Sequence, residues 1–178
     1  YNTEHLIRQK TGFKKKIEFL SHHLCHHAST FYPSGFKNSL IVSYDGMGEI
    51  HSSLFGVGTG KKIQIIHEEN KYPDSLGLFY TAMTYFLGWK IYHDEGIIMG
   101  LAPYGNKKYV DKIWNLINLE KNGKFSLNKK YFLHTSQKIP YKWDNCTPEV
   151  GTHYSKELIE ILGPERKSDQ ILEKRHMD

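Results

Sequence analysis

The sequence contains no uninterrupted apolar run long enough to cross a bilayer and no signal-like amino terminus, which excludes a spanning helix and a recognisable export leader. It has only two cysteines, Cys25 and Cys146, far apart and outside any CxxC arrangement. That excludes a disulfide framework and points to a reducing compartment, so a cytoplasmic chain with no membrane partner is expected. There is no internal repeat and no low-complexity linker. No glutamate stands at HExxH spacing, which argues against a metallohydrolase; Glu49 and Glu95 could act as bases but suit capping or ion pairing equally well. The segment Gly56-Val57-Gly58-Thr59-Gly60 lacks the lysine of a phosphate loop and precedes a strand pattern, so it reads as a hairpin turn. Lys plus Arg exceed Asp plus Glu by 24 to 19, but the surplus is scattered as short runs such as Lys61-Lys62, Lys107-Lys108 and Lys129-Lys130. Runs of this kind are solvated faces, and no nucleic-acid partner is expected.

What is present fits one ordinary domain with a substantial core, since the chain has 178 residues. The first residue is Tyr1 and the last are Arg175-His176-Met177-Asp178, so a fragment of a longer protein is expected. Thr3 to Gln9 reads as a short helix stopped by Gly12, and Lys16 to Leu20 as a strand. Ser39 to Tyr44, Ile50 to Val57 and Lys62 to Glu69 read as an antiparallel meander. From Ser75 the period changes: Leu76, Phe79, Tyr80, Met83, Phe86 and Leu87 form a helical stripe ended by Gly88, and this stripe reads as core rather than cofactor box. Helices are predicted over Asp94 to Leu101, Lys107 to Ile117 and Val150 to Leu162, with short strands near Phe125 and Tyr131-Phe132-Leu133. The order implies an α/β chain with a mixed sheet and flanking helices, not a doubly wound nucleotide fold.

The densest chemistry lies in His22-His23-Leu24-Cys25-His26-His27. If Ser21 caps a helix from His22 to Phe31, residues four apart share a face, so either His22 with His26 or His23 with His27 could chelate a cation. Asp45 closes the apolar strand Ser39 to Tyr44 and is followed by Gly46 and Gly48, which let the backbone turn and approach a ligand. Two imidazoles and a carboxylate with open positions suit a divalent transition ion, commonly iron, with zinc possible. The alternative is a polar helix surface. Cys25 reads as a small buried apolar residue rather than a ligand.

Four segments in order resemble one family. They are His22-His23-Leu24-Cys25-His26 with its continuation to Phe36, Val42-Ser43-Tyr44-Asp45-Gly46-Met47-Gly48-Glu49, Ser75-Leu76-Gly77-Leu78-Phe79-Tyr80 with its continuation to Gly88, and Met99-Gly100-Leu101-Ala102-Pro103-Tyr104-Gly105. Together they are similar to segments of the carbamoyltransferases that include the nodulation-factor and antibiotic O-carbamoylating enzymes. The resemblance implies part of a sugar kinase, Hsp70 and actin-like (ASKHA) domain, related to the tRNA threonylcarbamoyl-adenosine enzyme, with residues 1–178 forming the central part of the N-terminal domain. It selects His22, His26 and Asp45 as the metal set, for iron, zinc or manganese, with Asp45 and His26 serving the chemistry.

The implied reaction has two stages. A YrdC-like domain, absent from these residues, makes carbamoyl adenylate from carbamoyl phosphate and ATP, and the present domain transfers the carbamoyl group to a hydroxyl of a small-molecule or sugar acceptor. Backbone N–H groups at Gly46 and Gly48 would face the phosphate. A fourth metal ligand is expected beyond Asp178. Relatives carry a lysine where this chain has Ile97, a departure that leaves open a noncatalytic metal- and nucleotide-binding domain of the same fold.

Overall fold

A computed structural model of the chain describes residues 2–68, 70–144 and 147–178. The chain opens with α1 (Thr3–Thr11), capped by the Asn2 side chain and closed by Gly12 at φ +69°. The apolar residues of the expected strand at 16–20 form no strand; Phe19 and Leu20 lie exposed. Alternation specifies a strand only where a neighbour supplies the ladder, and none does so there among the described residues.

α2 (His22–Phe31) starts where Ser21 places its hydroxyl to accept from the Leu24 N–H. The meander follows as β1 (Asn38–Gly48), β2 (His51–Thr59) and β3 (Lys62–Glu68), antiparallel in the order β1-β2-β3. The expected last residue of β3, Glu69, and the second cysteine, Cys146, lie outside the described residues. The glycine-rich segment is only partly a turn. Gly60, at φ +61°, turns the chain, but Gly56 and Gly58 are within β2, where the absence of Cβ atoms admits the rings of His27 and Phe31.

α3 (Leu76–Phe86) is capped by Ser75 and ends before Gly88, at φ +79°. Arg166 locks this end: its N–H donates to the Phe86 carbonyl, its guanidinium to the Leu87 carbonyl, and the guanidinium stacks over Trp89. α4 (Glu95–Leu101) matches its expected span, with Asp94 at the N-cap position. The next helix is shorter than predicted, α5 (Val110–Trp114), because Ile117 is drawn into β4 (Ile117–Leu119) against β5 (Phe125–Leu127). The helix expected from Val150 begins six residues late. β6 (Tyr141–Asp144) pairs with β7 (Thr147–Val150), a bridge joins Phe132 to Tyr154, and only then does α6 (Lys156–Leu162) run to Gly163. A last turn, α7 (Lys174–Met177), follows.

The class is therefore α/β, with small antiparallel sheets and packed helices. Among the described residues every strand pair is antiparallel, because sequential strands joined by tight turns pair that way. The parallel pairing of a mixed sheet is not among them. The main core joins Ala82 and Phe86 of α3 to Leu116, Leu127, Phe132, Tyr154 and Leu158, so the aromatic stripe is core as its period implied. Phe31, Ile41 and Leu54 fill a second region where α2 lies on the sheet.

Candidate metal centre

Successive residues of a helix are about 100° apart, so the two histidine pairs of α2 face different surroundings. His23 and His27 point into the sheet and are fully buried. The His51 carbonyl can only accept, so His23 donates to it from Nε2 (3.0 Å) and takes the Ser43 hydroxyl at Nδ1 (2.8 Å). His27 donates from Nε2 to the Leu54 carbonyl (3.1 Å), with Ser43 Oγ at 3.2 Å. Burial, then the Leu54 carbonyl working against it, sets a net lowering of the His27 pKa. This pair serves packing.

His22 and His26 emerge from the other face. Their Nε2 atoms are 3.0 Å apart, the rings edge to face at 87°, and Asp45 Oδ2 meets both: His26 Nε2 at 3.2 Å and His22 Nε2 at closer range. The three ligand atoms lie within 4.8 Å of one another, the only such grouping among the described residues. The side chains keep 43%, 51% and 34% exposure, so open coordination positions would remain. Burial alone would raise the Asp45 carboxyl pKa, but hydrogen bonds from His22, the Gly46 N–H and His26 outweigh it and hold the group below its ordinary value. Two imidazole nitrogens and a carboxylate oxygen converging on one point form a donor set that a divalent cation satisfies.

Asp45 is aimed by an irregularity in β1. Tyr44 pairs with Ser53 and Gly48 with His51, so residues 45–47 bulge out of the ladder and turn the carboxylate toward α2. The Gly46 N–H donates to Asp45 Oδ1 at 2.6 Å, leaving Oδ2 for the histidines. A Cβ on Gly46 would meet nothing within 4 Å, so ligand can approach there; one on Gly48 would sit 2.5 Å from His22 Cδ2. Gly48 thus seats the His22 ring.

Four further residues build the site: Glu49 and Glu95, read from the sequence as bases or caps, act as caps, while Ser75 and Gly77 had no role assigned from the sequence. Glu49, at φ +51°, reaches back to accept from the His22 N–H (3.1 Å), and so acts as a cap. Glu95 similarly accepts from the Tyr92 N–H (2.7 Å). Ser75 donates to the Asp45 carbonyl (2.7 Å) while capping α3, and Gly77 lets that helix abut Asp45, where a Cβ would lie 2.5 Å from the carbonyl carbon. All but Glu95 fall inside the quoted segments, but their roles arise only when α3 meets the bulge. Cys25 is exposed rather than buried, because its place on α2 turns away from the sheet. Ile97 is exposed on α4.

The family model for the carbamoyltransferase N-terminus matches residues 2–144. An uncharacterized protein of Synechocystis sp. is 37% identical over 171 residues, covering 95% of this chain and 26% of that protein. Nodulation protein NolNO of Sinorhizobium fredii is 44% identical over 104 residues, 57% of this chain and 15% of its own length. Nodulation protein NolO of Bradyrhizobium diazoefficiens is 42% identical over 89 residues, 49% of this chain and 16% of its own. The chain spans about a quarter or less of these relatives. It belongs to the carbamoyltransferase N-terminal family.

Proposed function

We propose that this chain is the metal-bearing, central part of the N-terminal domain of a cytoplasmic O-carbamoyltransferase with an ASKHA core. It works with a YrdC-like domain that makes carbamoyl adenylate from carbamoyl phosphate and ATP. The observation that carries this reading is the convergence of His22, His26 and Asp45 within segments of a carbamoyltransferase N-terminal domain. In the transfer, the acceptor hydroxyl oxygen bonds to the carbamoyl carbon. The bond from that carbon to the adenylate oxygen breaks with its electron pair leaving on AMP, and the hydroxyl proton passes to water.

His22, His26 and Asp45 would hold a divalent ion, iron by ligand type, with zinc and manganese as alternatives. When bound, such an ion supplies Lewis-acid stabilisation of the charge that grows on the donor's oxygens. The chain's own residues do the orienting. Gly46 fixes the unused carboxylate oxygen and leaves room for a phosphate; Gly48 and Glu49 fix His22; Ser75 fixes the Asp45 backbone. The Gly46 N–H is already given to Asp45 Oδ1, so Gly46 would offer the adenylate open space rather than a backbone donor.

The test is elemental analysis and carbamoyl transfer on the full-length protein. Wild type should retain about one transition ion per chain and transfer to a hydroxyl acceptor, and His26→Ala should lose metal at least ~10-fold together with transfer. Stoichiometric metal with no transfer to any hydroxyl would favour the noncatalytic metal- and nucleotide-binding reading, which the exposed Ile97 motivates.

A further inference from the structure

Asp45 and Gly46 belong to the walls of two chambers. One, of about 500 Å³, is lined by Leu76, Gly77, Tyr80 and Thr81 of α3 and by Tyr92 and Glu95 at the start of α4. The other, of about 440 Å³, reaches His134, Lys138 and His153, with Tyr92 common to both.

The first chamber holds two carboxylates, and they are differently committed. Asp45 has both oxygens engaged: Oδ2 meets the His22 and His26 nitrogens, and Oδ1 takes the Gly46 N–H. Glu95 spends one, Oε1, on the Tyr92 N–H at 2.7 Å, and among the described residues Oε2 meets no donor. That bond ties the carboxylate to Tyr92, whose backbone is held at φ +63°, a conformation that non-glycine residues seldom adopt and that gathers at functional sites. Glu95 is thus fixed by the backbone rather than left as a loose surface group.

The Glu95 charge is felt within the chamber. Burial first, then that charge, raises the Tyr80 phenol above its ordinary value; burial, then Tyr141, Glu95 and Tyr72, does the same for Tyr92. Both phenols therefore stay protonated at neutral pH and do not compete as proton acceptors. The neighbours in sequence turn elsewhere: Asp94 accepts from the Lys90 N–H, and His93 lines a separate cavity beside Trp89. In the other chamber, burial, with His153 adding to it, lowers the His134 pKa to about 4, and burial lowers that of His153, which weakens both as bases. Lys138 brings donors and no lone pair.

Transfer to a hydroxyl needs a proton acceptor, because the O–H proton must leave as the oxygen bonds to carbon. A positioned base contributes about 10²–10⁴-fold to such a step. We infer that Glu95 is the general base of the transfer, its free Oε2 taking the proton of the acceptor hydroxyl in the chamber that Glu95 shares with Asp45. This rests on the carbamoyltransferase reading. As the acceptor oxygen bonds to the carbamoyl carbon, its O–H bond breaks toward Glu95 and leaves the electron pair on that oxygen. The bond from the carbon to the adenylate oxygen breaks with its pair leaving on AMP, and protonated Glu95 then passes its proton to water. Two carboxylates in one chamber thereby take two roles, Asp45 for the metal and Glu95 for the proton.

The experiment uses the full-length protein with ATP and labelled carbamoyl phosphate. Pyrophosphate release reports adenylate formation. Transfer is followed to glycerol, a hydroxyl that needs a base, and to hydroxylamine, whose nitrogen attacks with a free lone pair and needs none; the uncatalysed reaction is subtracted. Glu95→Gln keeps an oxygen for the Tyr92 N–H but cannot take up the proton. It should lower kcat toward glycerol at least ~100-fold, while transfer to hydroxylamine, the KM for glycerol, pyrophosphate release and metal content stay within a few-fold of wild type. Glu95→Asp, which draws the carboxylate back by one carbon, should show the same selective loss at ~10-fold or more, and it decides the matter if Glu95→Gln fails to fold. Unchanged transfer to glycerol in the deciding variant overturns the assignment. So does a parallel loss toward both acceptors, a loss of metal or of pyrophosphate release in that variant, or pyrophosphate release by wild type with no transfer to glycerol. Absence of pyrophosphate release from wild type overturns the carbamoyltransferase reading, and the assignment with it.

Discussion

At the residue scale, one position of phase along α2 separates stability from chemistry. His23→Ala would remove the acceptor of the buried Ser43 hydroxyl and a donor to the His51 carbonyl and leave a void on the sheet, and should cost about 2–3 kcal/mol while leaving the metal ligands in place. His26→Ala removes an exposed side chain and, compared with metal-free wild type, should move stability by no more than ~0.5 kcal/mol, yet abolish metal retention. Chemical denaturation beside elemental analysis checks both; equal destabilisation by the two would deny the division. Spacing alone left the two pairs open. The motif context chose His22 and His26, but what the other pair does became visible only once the strands it bonds were in place. His134 gives a pH prediction. Its folded pKa of about 4 lies below the ordinary imidazole value of 6.5, so the unfolded chain takes up the proton first as pH falls. Its contribution is therefore complete above pH 6.5 and is lost progressively toward pH 4, amounting to on the order of 2–3 kcal/mol. His134→Gln should flatten the stability curve across that window, and parallel curves would show that the burial is not felt.

At the scale of elements, close backbone approaches decide which glycines matter. Gly77→Ala would drive a methyl into the Asp45 backbone, which cannot yield as a side-chain tip can, and should cost at least about 1–3 kcal/mol while weakening metal binding. Gly100→Ala, in α4 with open space around the new methyl, should be neutral or gain up to ~1 kcal/mol from helix propensity. Thermal melts of the two variants give the comparison, and the reverse order would contradict the packing of α3 on the bulge. Elements with strong local signals were legible in advance: the Ser21 cap, the meander and the stripe of α3. The strand at 16–20 and the helical start at Val150 were not, because each needed knowledge of its neighbours. The first lacks a ladder partner among the described residues, and the second is pre-empted by pairing with β6 and with residues 131–133. The bulge at 45–47 was likewise hidden, since its register depends on β2.

At the scale of the whole molecule, the candidate metal centre and the main core occupy different places. α2 and the bulge meet above the three-stranded sheet, whereas the core around Phe132, Leu116 and Leu158 is built from α3, β4, β5 and α6. Composition and motif order could indicate an α/β chain of this family. They could not reveal chambers lined by residues from the Asp45 bulge, Tyr72, Tyr92 and the His134 segment, which come together only in three dimensions. The separation has a dynamic consequence. An ion held by His22, His26 and Asp45 would cross-link α2 to the sheet, adding stability through linkage to the region it bridges and little to the rest. Chelation of the full-length protein should therefore speed amide exchange in residues 21–31 and 44–49, while residues 113–117, 125–133 and 154–162 keep their protection. Re-addition of the divalent ion should restore the slow exchange in wild type but not in His26→Ala. Uniform acceleration across both regions would mean that the ion supports the fold globally, and no change in either would remove the cross-link from the account.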